Sequence, residues 1–159
     1  LMYKNEIVLG VVNEVNRNEV FYSWKGAKSF LNGKEISVSK VDNLGRALIA
    51  TGFPYRDFGL MKSYVEAFTF FMENTQGIRR LGSASIDLVY TACGIFEAFF
   101  EYGLASWDVA AGILIAKNAG AKISDFSGGE NYLFGGEIVV TCPKIHNQFL
   151  DVIKKSFNK

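Results

Sequence analysis

The chain has 159 residues, 49% of them hydrophobic, and its 17 basic and 16 acidic side chains leave a formal net charge of +1. That length and apolar content suit one core of ordinary domain size, and the balanced charge gives no footprint for nucleic acid or an anionic membrane. No uninterrupted apolar run reaches the roughly 18 residues of a membrane span, there is no signal-peptide pattern, and Cys93 and Cys142 lack CxxC or CxxH spacing, so reduced core thiols in a cytoplasmic protein are expected.

Residues 1–4 read as the tail of a strand. Residues 6–15 and 19–24 are β-rich runs separated by Asn16-Arg17-Asn18, and a third, 27–31, leads into Asn32-Gly33, the strongest two-residue hairpin signal. An antiparallel meander follows from these runs. The mostly polar stretch 39–44 marks a boundary, dividing the chain into residues 1–40 and 41–159. Beyond it strands alternate with helices, the pattern of an α/β layer with crossover helices. A short buried strand is predicted at 47–51 and a helix at 60–72, where Leu60, Met61, Tyr64, Val65, Phe68, Phe71 and Met72 recur at helical spacing. A strand at 78–81, a helix at 85–93 and a strand at 95–102 come next.

Residues 107–120 then show one carboxylate, Asp108, and no further charge until Lys117. Every position from 109 to 116 is apolar or glycine, so this helix must be covered on most sides. Gly120 fits a left-handed position after the helix, and Lys117 suits the negative end of the dipole. A strand at 121–124, a turn at Ser127-Gly128-Gly129, a strand at 137–141 and a helix at 143–157 opened by Pro143 complete the chain.

A few side chains lie where chemistry could occur. Asp108 at the mouth of a buried helix reads either as a cap accepting backbone N–H groups or as one edge of an anion site with its carboxylate turned to a bridging cation. Gly82-Ser83-Ala84-Ser85 lies between a strand and a helix, where small residues let a ligand approach the backbone; Ser83 or Ser85 as a simple cap is the other reading. Glu101 ends an apolar strand at the edge where α/β sheets bind ligands, or else faces solvent there. Glu97 alternates onto the same face as Glu101, so one of the two is a decoy. The single histidine, His146, is remote from these segments, and Arg79-Arg80 reads as a surface ion-pair site or as a support for a loop or partner subunit.

The run 107–129, WDVAAGILIAKNAGAKISDFSGG, resembles the C-terminal signature of the inositol monophosphatase family. TGFPYR at 51–56, GIRRLGSASIDLVYTACG at 77–94 and FFEYGLASWD at 99–108 resemble further segments of bacterial members in the same order and spacing. The one small departure is Ala119-Gly120-Ala121 where members carry Ala-Gly-Gly. The resemblance implies the C-terminal α/β layer of that fold, preceded by an antiparallel meander belonging to its N-terminal α+β half. It also implies that this chain is the C-terminal part of a longer protein, because the Asp-Pro-x-Asp-Gly-Thr loop and glutamate pair of the family precede the matching region.

Carried over by position, the resemblance makes Asp108 a catalytic, metal-binding acid that also contacts a substrate hydroxyl, and Glu101 the acceptor for another. Gly82, Ser83 and Ala84 would line the alcohol part of the substrate. The implied activity is Mg²⁺-dependent hydrolysis of a small-molecule phosphate ester, inositol monophosphate or a related polyol or sugar phosphate, by a homodimer. The 3′-phosphoadenosine and fructose-bisphosphate branches are the neighbouring alternatives, and a non-catalytic assembly or partner-binding domain is the other class. One carboxylate does not hold Mg²⁺, so the chain alone should be inert.

Overall fold

A computed structural model describes residues 1–54 and 57–159. Tyr55 and Arg56, the end of the TGFPYR segment, lie outside the described residues.

The chain opens with a hairpin of β1 (Met2–Tyr3) and β2 (Glu6–Ile7). Lys4 and Asn5 between them both have positive φ, the conformation that a two-residue hairpin of matching twist requires. This departs from the single strand tail expected at 1–4, and it cuts the run at 6–15 into β2 and β3 (Leu9–Glu14). With β4 (Glu19–Trp24), β5 (Ser29–Leu31) and β6 (Lys34–Ile36), β3 forms a four-stranded antiparallel sheet in sequence order. Asn32 ties its turns together: Oδ1 accepts from the Val20 N–H and Nδ2 donates to the Asn18 carbonyl. Period-2 alternation sends Val12, Phe21, Ser23 and Ser29 inward, while Val11, Val20 and Trp24 stay exposed.

The second half runs β7 (Leu48–Thr51), α1 (Met61–Asn74), β8 (Gly77–Arg79), α2 (Ala84–Ala92), β9 (Ala98–Tyr102), α3 (Ser106–Asn118), β10 (Lys122–Ser124), β11 (Glu137–Thr141) and α4 (His146–Phe157). Its five strands are ordered β10-β11-β9-β7-β8, with β7 parallel to both neighbours and β11 antiparallel to both of its own. The strand expected at 95–102 starts late. Gly94 takes a positive φ, and the N–H groups of Ile95 and Phe96 turn back to the Tyr90 carbonyl, closing α2 before the strand begins.

Helices α2 and α3 lie between the two sheets. One apolar core joins Val12 and Phe21 of the first sheet, Leu88, Val89, Ile113 and Ile115 of the helices, and Phe99, Ile138 and Val140 of the second sheet. On the far face α1 and α4 bury Phe71, Phe149 and Ile153 against Ile49, Phe100 and Val139. Phe71 and Phe149 stack at 4.3 Å between ring centroids. The buried helix can sit this close because it is notched: a Cβ on Gly112 would lie 2.6 Å from Leu88 Cβ. Burial of Val109 and of residues 112–116 is what the unbroken apolar run of α3 requires.

Candidate active site

Strands β7 and β9 are parallel, so both end on one edge of the second sheet, and the N-termini of α2 and α3 open toward the same edge. Gly52, Arg80, Gly82, Ser83, Ala84, Ser85, Asp87, Glu101, Leu104 and Asp108 enclose a cleft of about 210 Å³ there. Ligands of open α/β sheets bind at this edge, where unpaired N–H groups of helix starts favour an anion. All five residues singled out in the sequence, Gly82, Ser83, Ala84, Glu101 and Asp108, line this one cleft.

Asp108 stands in the first turn of α3. The cap position belongs to Ala105, which has no side-chain acceptor, and Asp108 Oδ2 accepts from the Ala105 N–H at 2.9 Å. One carboxylate oxygen therefore serves the helix start, and Oδ1 makes no hydrogen bond among the described residues. Ser83 has the extended backbone of a cap, yet its hydroxyl lies 3.2 Å from the Ser85 hydroxyl and caps no N–H. The simple-cap reading fails at Ser83 and holds for one oxygen of Asp108.

Glu101 is 7% exposed and pairs in register with Ile138. Its carboxylate lies flat against the backbone of Gly52, where any Cβ would land on the carboxylate atoms. No hydrogen bond reaches it among the described residues. Glu97 is the decoy. Just before β9, at the opposite end of that strand, its Oε2 accepts from the Leu48 N–H at 2.6 Å and holds β7 beside β9.

The acid that sequence reading missed is Asp87. It is 1% exposed, in α2, and its Oδ1 has no hydrogen-bond partner among the described residues. Burial, with the Glu101 charge adding to it and Arg80 opposing it, pushes the Asp87 carboxyl up to about 7. Glu101 is pushed up to about 7 by burial as well, with Arg80 opposing and Asp108 reinforcing the shift. A lone acid at the fourth position of the otherwise apolar and hydroxyl-bearing run of α2 was the available signal, since a buried helix does not carry an acid for packing.

Arg80 lies on the cleft wall with its guanidinium 5.6 Å from the Phe53 ring centroid, a cation–π contact that joins the wall to the loop after β7. Arg79 is exposed and donates to the Ile78 carbonyl. Neither forms an ion pair among the described residues, so the surface ion-pair expectation is replaced, for Arg80, by a place on the cleft. His146 faces the Thr141 hydroxyl at 2.9 Å and does not line the cleft. Cys93 and Cys142 are free thiols that burial pushes up, unlike reactive cysteines.

Among the described residues no three His, Cys, Asp or Glu side chains cluster as a metal site. Mg²⁺ takes near-octahedral oxygen ligation. Asp108 Oδ1 offers one such ligand, and the other described residues do not complete a Mg²⁺ site.

Fold and edge together define an α/β protein with a cleft at the carboxyl ends of its parallel strands, and residues 1–156 match the profile of the inositol monophosphatase family. The chain belongs to that family. It is 40% identical over 153 residues to the putative Nus factor SuhB of Neisseria meningitidis serogroup B, spanning 96% of this chain and 59% of that protein. The extragenic suppressor protein suhB of Bartonella henselae superposes with a TM-score of 0.91 at 32% identity, over 96% of this chain and 58% of that one. A Thermotoga maritima IMPase superposes with a TM-score of 0.84 at 32% identity, over 94% of this chain and 57% of that one. The chain thus spans less than two thirds of the length of these relatives.

Proposed function

We propose that this chain supplies the alcohol-side wall and one metal ligand of a Mg²⁺-dependent phosphatase that hydrolyses inositol monophosphate or a related polyol or sugar phosphate. The observation that carries the reading is the convergence of Asp108, Glu101 and the Gly82–Ala84 bend on one cleft at the helix N-termini. A bound Mg²⁺ would supply Lewis acidity toward the phosphate and a more acidic water. Asp108 Oδ1 would be one of its ligands, the remainder coming from polypeptide that relatives carry outside the matching region. Glu101 accepts from substrate hydroxyls, a task a carboxylate suits. The small side chains of residues 82–84 let the ester reach the free N–H groups opening α2. Exposed apolar side chains on α1, namely Val65, Phe70 and Met72, support a homodimer through that helix.

A second reading is favoured by one observation: a relative at 40% identity bears the name of a Nus factor, which describes no hydrolysis. In that reading the fold serves partner binding and the cleft is unused. The discriminating experiment incubates the complete gene product with Mg²⁺ and a panel of polyol, sugar and nucleotide monophosphates. Phosphate release from polyol esters, abolished by a chelator, is expected; no release from any ester would overturn the phosphatase reading in favour of the binding module.

A further inference from the structure

Glu101 is not the only carboxyl in the cleft without a donor. Asp87 lies in the first turn of the nine-residue α2, whose neighbouring positions Leu88, Val89 and Ala92 are committed to the core between the sheets. Asp87 lines the same cleft as Glu101, Gly52 and Ala84, and its buried Oδ1 receives no hydrogen bond among the described residues. Thr91 bonds the Asp87 backbone carbonyl and not the side chain. Among the described residues the other buried side-chain atom without a partner, Ser124 Oγ, does not border the cleft. Arg80, the cation on the wall, makes no ion pair with either acid among the described residues.

We propose that Asp87 is a specificity-determining residue which, with Glu101, reads a second free hydroxyl on the alcohol part of the substrate. The inference rests on the phosphatase reading above. Two acids lining one cleft repel a phosphoryl group, so they must face the neutral part of the ester. The donors on that part are hydroxyls. An alcohol carrying at least two free hydroxyls beside the ester satisfies both carboxyls, whereas an ester with none leaves both desolvated and unmatched. A site built to bond hydroxyls discriminates strongly against analogues that lack them. Asp87 thereby narrows the substrate class from phosphate monoesters in general to polyol monophosphates.

The test compares kcat/KM of the complete gene product with Mg²⁺ for inositol monophosphate and for p-nitrophenyl phosphate, which has no free hydroxyl. Asp87→Leu should lower the value for inositol monophosphate by about 10- to 100-fold, the loss of one hydrogen bond to a charged or strongly polar group. Its loss for p-nitrophenyl phosphate should be smaller by at least about fivefold, because no hydroxyl contact is lost there. Asp87→Asn, which keeps shape and an acceptor, should retain an intermediate preference, and it decides the matter should the leucine variant not fold. Equal losses for both esters in a folded asparagine variant, or an unchanged preference, would overturn the role of Asp87 and leave the phosphatase reading standing. A wild-type protein that releases phosphate from neither ester would overturn both.

Discussion

At the scale of single residues, the cleft depends on Gly52 having no side chain. The Glu101 carboxylate occupies the space a Cβ would fill, so Gly52→Ala must push either the acid or the loop after β7 aside. Overpacking of this kind costs about 1–3 kcal/mol. Denaturant unfolding should show that loss, and phosphate release should fall with it because Glu101 is displaced. A variant as stable and active as wild type would place Glu101 elsewhere.

The two raised acids make a pH prediction. Asp87 and Glu101 titrate near 7 in the folded protein, against about 4 in an unfolded chain. Between those values the folded state holds more protons than the unfolded one, so stability falls as pH rises from about 4 to about 7 and levels off above, with a slope of at most about 1.4 kcal/mol per pH unit for each group. Denaturation midpoints of Asp87→Asn across that range should show a shallower fall than wild type; an identical slope would exclude Asp87 as a contributor.

Residue by residue, local pattern singled out Asp108, which opens a helix with no other charge before its last turn, and Glu101, which ends an apolar strand, while their site roles came from the family resemblance alone. Asp87 was hidden for a physical reason. An acid inside a helix ordinarily faces solvent, and only the packing of α2 between two sheets reveals that this one cannot. Glu97 and Glu101 looked equivalent by alternation, and it took the position of β7 to show that Glu97 bonds the Leu48 N–H at the other end of the strand.

At the scale of elements, α3 is positioned by close approach on two sides. A Cβ on Gly112 would meet Leu88 Cβ at 2.6 Å and Cδ1 at 2.7 Å, and one on Gly10 of β3 would meet the Ala111 carbonyl oxygen at 2.6 Å. Alanine favours a helix over glycine by about 1 kcal/mol, so propensity alone would make Gly112→Ala stabilising. The clash with a fully buried leucine, about 1–3 kcal/mol, opposes it and wins. A lower unfolding free energy is expected, and a rise would mean that α2 and α3 yield to the added methyl. On the other face of the sheet, Phe149→Ala should cost about 3–5 kcal/mol through the cavity left beside Phe71 and Phe100, read from the same unfolding curves.

Elements with long periodic patterns or strong turn chemistry were legible: α1, α3 and the Asn32-Gly33 hairpin. The β1–β2 hairpin was not, because Lys4 carries no turn signal and its left-handed φ is imposed by pairing on both sides. Nor was the late start of β9, which depends on Gly94 turning α2 back on itself.

At the scale of the whole molecule, two packed sheets with α2 and α3 between them bring the ends of parallel strands and the starts of two helices to a single edge. That convergence is set by topology and is invisible in local pattern; the family resemblance of residues 51–56, 77–94 and 99–129 was what foretold it. The homodimer proposed through α1 is checked by sedimentation of the complete gene product, where Val65→Asp with Met72→Asp should shift a dimer to a monomer without lowering its melting temperature; a monomeric wild type would contradict it.

The central claim is that Asp108 presents a carboxylate oxygen to a divalent ion beside a phosphate ester. The most direct measurement is Mg²⁺-dependent phosphate release from inositol monophosphate by the complete gene product and by its Asp108→Asn variant, with melting curves alongside. The asparagine keeps an acceptor for the Ala105 N–H, so the fold should survive while kcat/KM falls by at least about 100-fold, the loss of one transition-state electrostatic contact. A folded variant that hydrolyses the ester at the wild-type rate would contradict the account.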